Sequence, residues 1–248
     1  MKIGFIGLGN MASAMIGGIL KKELYSAEDI IGSDKSEDSV QKAAKIFGIH
    51  TTTDNLEVAQ AADVLILAVK PQFFPEVIAE IKGAVREETL IISIAPGKTM
   101  EWIMEHFGRE LKLVRCMPNT PALVGEGCTG FCCYKLVSEE EQAQAAAILG
   151  SFGRAYQVPE NLLDTVVGIS GSSPAYVFMF IEAMADEAVA EGMPRALAYE
   201  FAAQAVLGSA KMVLRQGFAE GKLQQECPRV HHRALYPGER RKTTEETD

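Results

Sequence analysis

The chain has 248 residues, of which 48% are apolar and 23% charged, and its formal net charge is −9. This length suits one large domain or two ordinary ones, and the composition is typical of a soluble globular protein. The negative charge argues against nucleic acid as a partner. We see neither a membrane span nor a signal peptide in the pattern, so we expect a cytoplasmic protein without a membrane partner.

The cysteines show no metal-binding pattern. None of the five has C-x-x-C spacing or a histidine at ligand distance in the sequence, so we expect no metal site. Their strand-like settings predict reduced and mostly buried thiols. They are Cys116, Cys128, Cys132, Cys133 and Cys227.

The chain begins with an apolar strand that runs into a glycine turn and then a helix. The turn reads Gly7-x-Gly9-x-x-Ala12, and the helix is predicted over 10–20. Gly7 permits the tight turn, Gly9 leaves room for a pyrophosphate, and Ala12 lets the helix pack on the strand. The free N–H groups and the dipole of the helix then favour phosphate. The alternative is a glycine turn that only serves packing.

Strands continue to alternate with helices up to about residue 134. The pattern predicts strands at 30–32, 64–69, 90–93, 113–117 and 128–134, and helices at 40–47, 74–81 and 100–107. The 64–69 run is apolar without alternation, as in a strand covered on both faces. This order predicts an α/β fold, a Rossmann-like, doubly wound and mainly parallel sheet with right-handed crossovers.

The character of the chain changes after about residue 162. Strand signals disappear, and helices are predicted at 175–192 and 195–214, separated by Gly192 and Pro194. Two such helices bury little on their own, so we expect them to pack against a partner chain. We therefore divide the chain into a nucleotide-binding domain (1–160) and a smaller all-α domain (161–223).

Polar residues follow two of the central strands. After the second strand, Asp34 favours the ribose hydroxyls of NAD, whereas Ser33, Lys35 and Ser36 favour the 2′-phosphate of NADP. The sequence leaves this choice open. Lys70, at the end of the 64–69 strand, either reaches a coenzyme or substrate anion or is a solvated lysine.

Two further loops suit a small polar substrate. Asn119 and Thr120 lie between two prolines, which makes a stiff loop with an amide and a hydroxyl; a structural turn is the alternative. The serine-rich loop 170–176 precedes a helix and suits either a carboxylate or an N-cap. Together these patterns indicate a dinucleotide-dependent oxidoreductase for a small anionic substrate.

Ordered motifs extend this interpretation to a family. They are GFIGLGNM at 4–11, AVKPQ at 68–72, RCMPNTP at 115–121, SGSSPAY at 170–176, GMPR at 192–195 and GSAKM at 208–212. Together they resemble the pyrroline-5-carboxylate reductases, which reduce the cyclic imine 1-pyrroline-5-carboxylate to L-proline in the last step of proline biosynthesis. Ser173 stands where the family usually has glycine.

The resemblance implies site residues, a coenzyme and an assembly. The coenzyme is NADP(H) or NAD(H), and the assembly is a homodimer or a higher homo-oligomer. Asn119, Thr120, Ser172 and Ser173 would bind the substrate. The residues implied for coenzyme binding are Gly7, Gly9, Asn10, Met11, Ser33, Asn55, Ala68, Val69, Lys70, Pro71 and Ala95.

The resemblance ends after about residue 223. The substrate loop of the family, in which a threonine is thought to contact the imine, is absent, so no catalytic residue is assigned. Residues 224–248 lack helical or strand periodicity and are expected to be disordered. Codons for residues 228–232, when read from their second base, can encode Pro-Gly-(Ser or Cys)-Thr-Thr. This sequence nearly restores the missing substrate loop of the family.

One hypothesis for the tail is a frameshift, and a natural tail of different function is the competing explanation. In the frameshift case we expect cofactor binding to persist, with weak or no reductase activity and weakened dimerisation. Two other functions remain alternatives: a β-hydroxyacid dehydrogenase-like oxidoreductase, and a non-catalytic dinucleotide-binding protein.

Overall fold

A computed structural model describes residues 1–216. Residue contacts divide the chain into two units, Met1–Tyr176 and a second that begins at Val177. The predicted tail at 224–248, with Cys227, lies outside the described residues.

The first unit is built on one sheet of eight strands in the order β3-β2-β1-β4-β5-β6-β7-β8. Neighbouring strands from β3 to β6 are parallel, β7 is antiparallel to β6, and β8 is parallel to β7. The strands are β1 (Ile3–Ile6), β2 (Ile30–Ser33), β3 (His50–Thr52), β4 (Val64–Leu67), β5 (Leu90–Ser93), β6 (Lys112–Met117), β7 (Gly127–Cys133) and β8 (Gly153–Gln157). The predicted doubly wound and mainly parallel sheet is confirmed.

Helices cover both faces of this sheet. They are α1 (Asn10–Lys21), α2 (Glu37–Phe47), α3 (Asn55–Ala61), α4 (Phe74–Ile81), α5 (Met100–Phe107), α6 (Glu139–Leu149) and α7 (Leu163–Val166). One apolar core joins the sheet to α1, α2 and α6, and a second joins it to α3, α4 and α5. Successive residues of β4 alternate between the two cores: Ile66 lies in the first, and Leu65 and Leu67 lie in the second. This explains why that strand is apolar throughout.

Five of these strands and helices were not predicted from the sequence pattern: β3, α3, α6, β8 and α7. β3 has only three residues, and β8 alternates half-buried with exposed residues at the sheet edge. α6 has a weak apolar stripe, but a capping box at Ser138 and Glu141 defines its start. α2 begins at Glu37 rather than at 40, because the Ser36 hydroxyl accepts a hydrogen bond from the N–H of Ser39.

Two long helices end the described chain. α8 (Ser173–Ala190) crosses the boundary between the units, and α9 (Arg195–Gln216) belongs to the second unit. Among residues 177–215 of the second unit, the buried ones are all alanines, namely Ala185, Ala198 and Ala202. Phe178, Phe180 and Phe201 are each about 60% exposed, which leaves a large uncovered apolar surface.

The helical turns over Glu160–Ala190 are also long and apolar enough to cross a membrane, judged by length and composition alone. The sequence pattern predicted no membrane span. The apolar surface of α8 therefore needs an explanation, whether by a protein partner or by lipid.

The capping box of α6 gives a stability prediction. The Ser138 hydroxyl accepts from the N–H of Glu141 at 3.2 Å, and the N–H of Ser138 donates to the Glu141 carboxylate at 2.9 Å. We expect Ser138→Ala to lower the free energy of unfolding by about 1 kcal/mol, because one donor of the first turn loses its acceptor. Urea unfolding followed by circular dichroism measures this change. Unchanged stability would show that the box does not contribute.

Candidate functional site

The sheet has its topological switch point at β1. The chain proceeds from β1 to β2 on one side, whereas β4 pairs with β1 on the other side. Crevices at the carboxyl edge of such a switch point are where open α/β sheets bind ligands. A cavity of about 340 Å³ lies there, lined by Gly7, Gly9, Asp34, Lys35, Ser36, Asn55, Ala68, Val69, Lys70, Phe73 and Val77.

Gly7 is required by the fold itself. Its φ is +98°, and a Cβ at this position would lie 2.8 Å from the carbonyl carbon and oxygen of Ala68. Its N–H donates to the backbone carbonyl of Ser33 at 2.8 Å. The first turn is therefore held between β2 and the end of β4, and no other residue fits there without strain.

Gly9 is different, because nothing within the described protein requires a glycine there. A Cβ on Gly9 would meet no described atom within 4 Å, and the residue is exposed. Gly9 is the N-cap of α1, without a side-chain cap, and the first turn of α1 has no acidic residue. The missing side chain thus leaves space beside N–H groups that suit an anion.

Asp34 ties the glycine turn to the end of β2. Its carboxylate accepts from the N–H of Leu8 at 2.8 Å through Oδ2 and from the N–H of Ser36 at 2.9 Å through Oδ1. Next to it, the Lys35 ammonium donates to the Glu76 carboxylate at 2.7 Å in an exposed pair. One wall of the cavity therefore carries a carboxylate in a defined position.

A chain of hydrogen bonds leads from the buried Ser33 behind this wall to the exposed Glu80. The Ser33 hydroxyl donates to Asn55 Oδ1 at 2.7 Å, and Asn55 Nδ2 donates to the Glu80 carboxylate at 2.8 Å. Ser33 is fully buried, whereas Asn55 lines the cavity. A ligand in the cavity can therefore contact Asn55 directly. Ser33 can influence such a ligand only indirectly, by holding the Asn55 side chain in position.

The structure brings together only part of the predicted coenzyme set. Gly7, Gly9, Asn55, Ala68, Val69 and Lys70 line the cavity. Asn10 and Met11 form the first turn of α1, Pro71 begins a 3-10 turn over Pro71–Phe73, and Ala95 is buried beyond the end of β5. Phe73 and Val77 line the cavity without having been predicted. The sequence could have indicated Phe73, because it is a large aromatic residue directly after the loop that follows β4.

Hydrogen bonds join the two predicted substrate loops. Asn119 accepts from the N–H of Cys128 at 2.8 Å through Oδ1 and donates to the carbonyl of Ser170 at 3.0 Å through Nδ2. Asn119 is buried, Thr120 is exposed, and Ser172 and Ser173 are half-buried. Both loops belong to the first unit, and helix α1 packs against residues 120–124. The buried amide thus fixes the loops, while the hydroxyl groups remain accessible.

Three of the four described thiols are not poised as nucleophiles. Burial raises the pKa of Cys132 to about 12 and that of Cys133 to about 11, and it raises the pKa of the fully buried Cys116 as well. All three are thus protonated at neutral pH. The four described cysteines are unpaired, and residues 1–216 contain no cluster of three or more candidate metal ligands.

Two family models match the chain. Residues 2–97 match the model described as NADP oxidoreductase coenzyme F420-dependent. Residues 160–228 match the model for pyrroline-5-carboxylate reductase dimerisation. The first match contains the glycine turn and the cavity residues, and the second contains both long helices.

Known proteins agree with these matches. The pyrroline-5-carboxylate reductase of Escherichia coli K12 is 47% identical, over 90% of this chain and 82% of the relative. A reductase structure from Coxiella burnetii has a TM-score of 0.84 at 34% identity, over 91% of this chain and 84% of that one. A Plasmodium falciparum pyrroline carboxylate reductase structure, solved with NADP bound, has a TM-score of 0.83 at 33% identity, over 93% and 84% of the two chains. The chain belongs to the pyrroline-5-carboxylate reductase family.

Proposed function

We propose that this chain reduces 1-pyrroline-5-carboxylate to L-proline with NADH or NADPH, as a homo-oligomer in the cytoplasm. The observation that carries this proposal is the open space at Gly9. The fold demands glycine at position 7 but not at position 9, and position 9 borders a cavity at a helix N-terminus. The missing Gly9 side chain is explained by a ligand phosphate.

The residues of the cavity fit a dinucleotide. The turn at Gly7 and the start of α1 suit the pyrophosphate, and the carboxylate of Asp34 at the end of β2 suits the adenosine ribose. Ala68, Val69 and Lys70 continue the wall at the end of β4. When bound, a reduced nicotinamide supplies the hydride for the C=N carbon of the imine.

The protein contributes positioning. The Asn119 amide holds the 119–128 loop against the backbone of Ser170, immediately before the serines that precede α8. The hydroxyl and N–H groups of Ser172 and Ser173 suit the substrate carboxylate, and Thr120 adds an accessible hydroxyl. Holding two reactants in register is a large part of catalysis for a step that needs no covalent intermediate with the enzyme.

A direct assay tests the proposal. The chain is purified and the oxidation of each reduced coenzyme is followed with and without the imine. We propose that the chain binds coenzyme but turns over weakly, because residues 224–248 depart from the family pattern. A second version, in which the codons after Cys227 are read one base later, should turn over faster.

Several results would contradict this proposal. Equal turnover of the two versions would refute the impairment, and sequencing of the coding DNA from independent clones tests the frameshift itself. Oxidation of hydroxyacids with NAD⁺ or NADP⁺ as the hydride acceptor would favour a β-hydroxyacid dehydrogenase. Coenzyme binding without turnover in both versions would favour a non-catalytic binding protein.

Gly9→Ala separates ligand binding from folding. The added methyl group meets no described protein atom, so stability should change by less than about 1 kcal/mol, the scale of an N-cap substitution. The methyl group would lie against the bound pyrophosphate, so coenzyme affinity should fall by about tenfold or more. Isothermal titration calorimetry measures the affinity. Gly83→Ala is the matched control, since Gly83 is equally open but does not line the cavity.

The apolar surface of α8 is proposed to form the contact between subunits rather than a membrane anchor. The family dimerisation match covers residues 160–228 and therefore includes this surface. Phe180 is 59% exposed, and replacing it by glutamate would place a charge in the apolar contact. We expect Phe180→Glu to be monomeric at concentrations where the parent chain is an oligomer, as measured by sedimentation velocity.

The control for this prediction is Ile46→Glu. Ile46 is also 59% exposed but lies on α2, outside the dimerisation match. Its substitution should leave the oligomer unchanged. An unchanged oligomer for Phe180→Glu would place the subunit contact elsewhere.

A further inference from the structure

We propose that Asp34 makes this chain bind NADH in preference to NADPH. The inference rests on the proposed function, since it requires a dinucleotide in the cavity at the switch point. The two coenzymes differ only at the 2′ position of the adenosine ribose. NADH carries a hydroxyl group there, and NADPH carries a phosphate of about two negative charges.

The Asp34 carboxylate already lies where such a ribose is recognised. It follows the last residue of β2, Ser33, and lines the cavity. Carboxylates at this position accept hydrogen bonds from the 2′- and 3′-hydroxyls. Each oxygen of Asp34 accepts one backbone hydrogen bond, which leaves a second acceptor site on each for a ribose hydroxyl.

The two backbone donors prevent the carboxylate from turning away. Leu8 is buried with its side chain directly over Gly32, where a Cβ would lie 2.6 Å from Leu8 Cδ2. The N–H of Leu8 is therefore held by core packing. Ser36 is the N-cap of α2, so its N–H is held by the start of that helix. Rotation of Asp34 would break both charge-assisted hydrogen bonds.

A 2′-phosphate would consequently lie close to a fixed negative charge. Two lysines line the cavity. Lys70 follows β4, which is separated from β2 by β1. Lys35 is the adjacent cation, and it is paired with Glu76 at 2.7 Å. The first turn of α2 adds two more carboxylates, Glu37 and Asp38. The end of β2 therefore favours a 2′-hydroxyl over a 2′-phosphate. A phosphate close to the Asp34 carboxylate would be repelled by it even in a partly solvated site.

The test compares dissociation constants for NADH and NADPH by calorimetry in the absence of imine. We expect the parent chain to bind NADH about tenfold or more tightly than NADPH, on the scale of one close charge repulsion. Asp34→Asn keeps a side-chain acceptor for Leu8 but removes the charge. It should reduce the preference by about tenfold. Asp38→Asn removes the same charge from the same helix end without altering the cavity lining, so it should leave the preference unchanged.

Each result bears on the proposal. Equal or tighter binding of NADPH by the parent chain would overturn it, and imine reduction with NADPH would show that the proposed function survives. An equal effect of Asp38→Asn would also overturn it, because the discrimination would then be a general field effect. Absence of binding for both coenzymes would refute this inference together with the proposed function. Asp34→Ser serves as a second variant should Asp34→Asn fold poorly.

Discussion

The close approach of the first turn to the end of β4 is the constraint on which the site depends. At Gly7 the backbone passes so near Ala68 that even one methyl group has no room, and the positive φ excludes other side chains in any case. This contact, together with the hydrogen bond from Gly7 to the carbonyl of Ser33, sets where α1 begins. The helix N-terminus is therefore aimed into the crevice by the packing of three neighbouring strands. A ligand anion meets donors that are already in position, so little ordering is needed when it binds.

Asp34 extends the same constraint to the neighbouring strand. Its carboxylate receives the N–H of Leu8 from the turn and the N–H of Ser36 from the start of α2. The glycine turn and the end of β2 are thus one hydrogen-bonded unit. In the proposed binding mode, a change at the 2′ position of the coenzyme would act on the turn beside the pyrophosphate, because Asp34 contacts both. Coenzyme choice and the geometry of the turn would then be coupled rather than independent.

The sequence predicted the parts of this arrangement that are encoded locally. The glycine spacing, the apolar β4 and the bounds of α4, β5 and α5 follow from short-range pattern, and the structure agrees. Side-chain roles that depend on distant residues did not follow. Ser33 is buried behind Asn55, which lies 22 positions later. Arg115, in the same motif as Asn119, is also buried and pairs with Glu160 at 3.1 Å. No local pattern distinguishes such a packing residue from a ligand-binding one.

The second unit shows why composition alone is ambiguous for its helices. The buried residues described in this unit are alanines, which bury little apolar area. Phe178, Phe180 and Phe201 are exposed, and the stretch over Glu160–Ala190 satisfies a criterion for a membrane span based on length and hydropathy alone. Asp186 and Arg195 form an ion pair near the turn between the helices, at a surface that tolerates charge. The side chains of this ion pair are about half exposed, which favours an aqueous surface at the turn over lipid, because moving charges out of water is costly even when they are paired. The family match to a dimerisation module over the same residues supports a second copy of the chain as that surface.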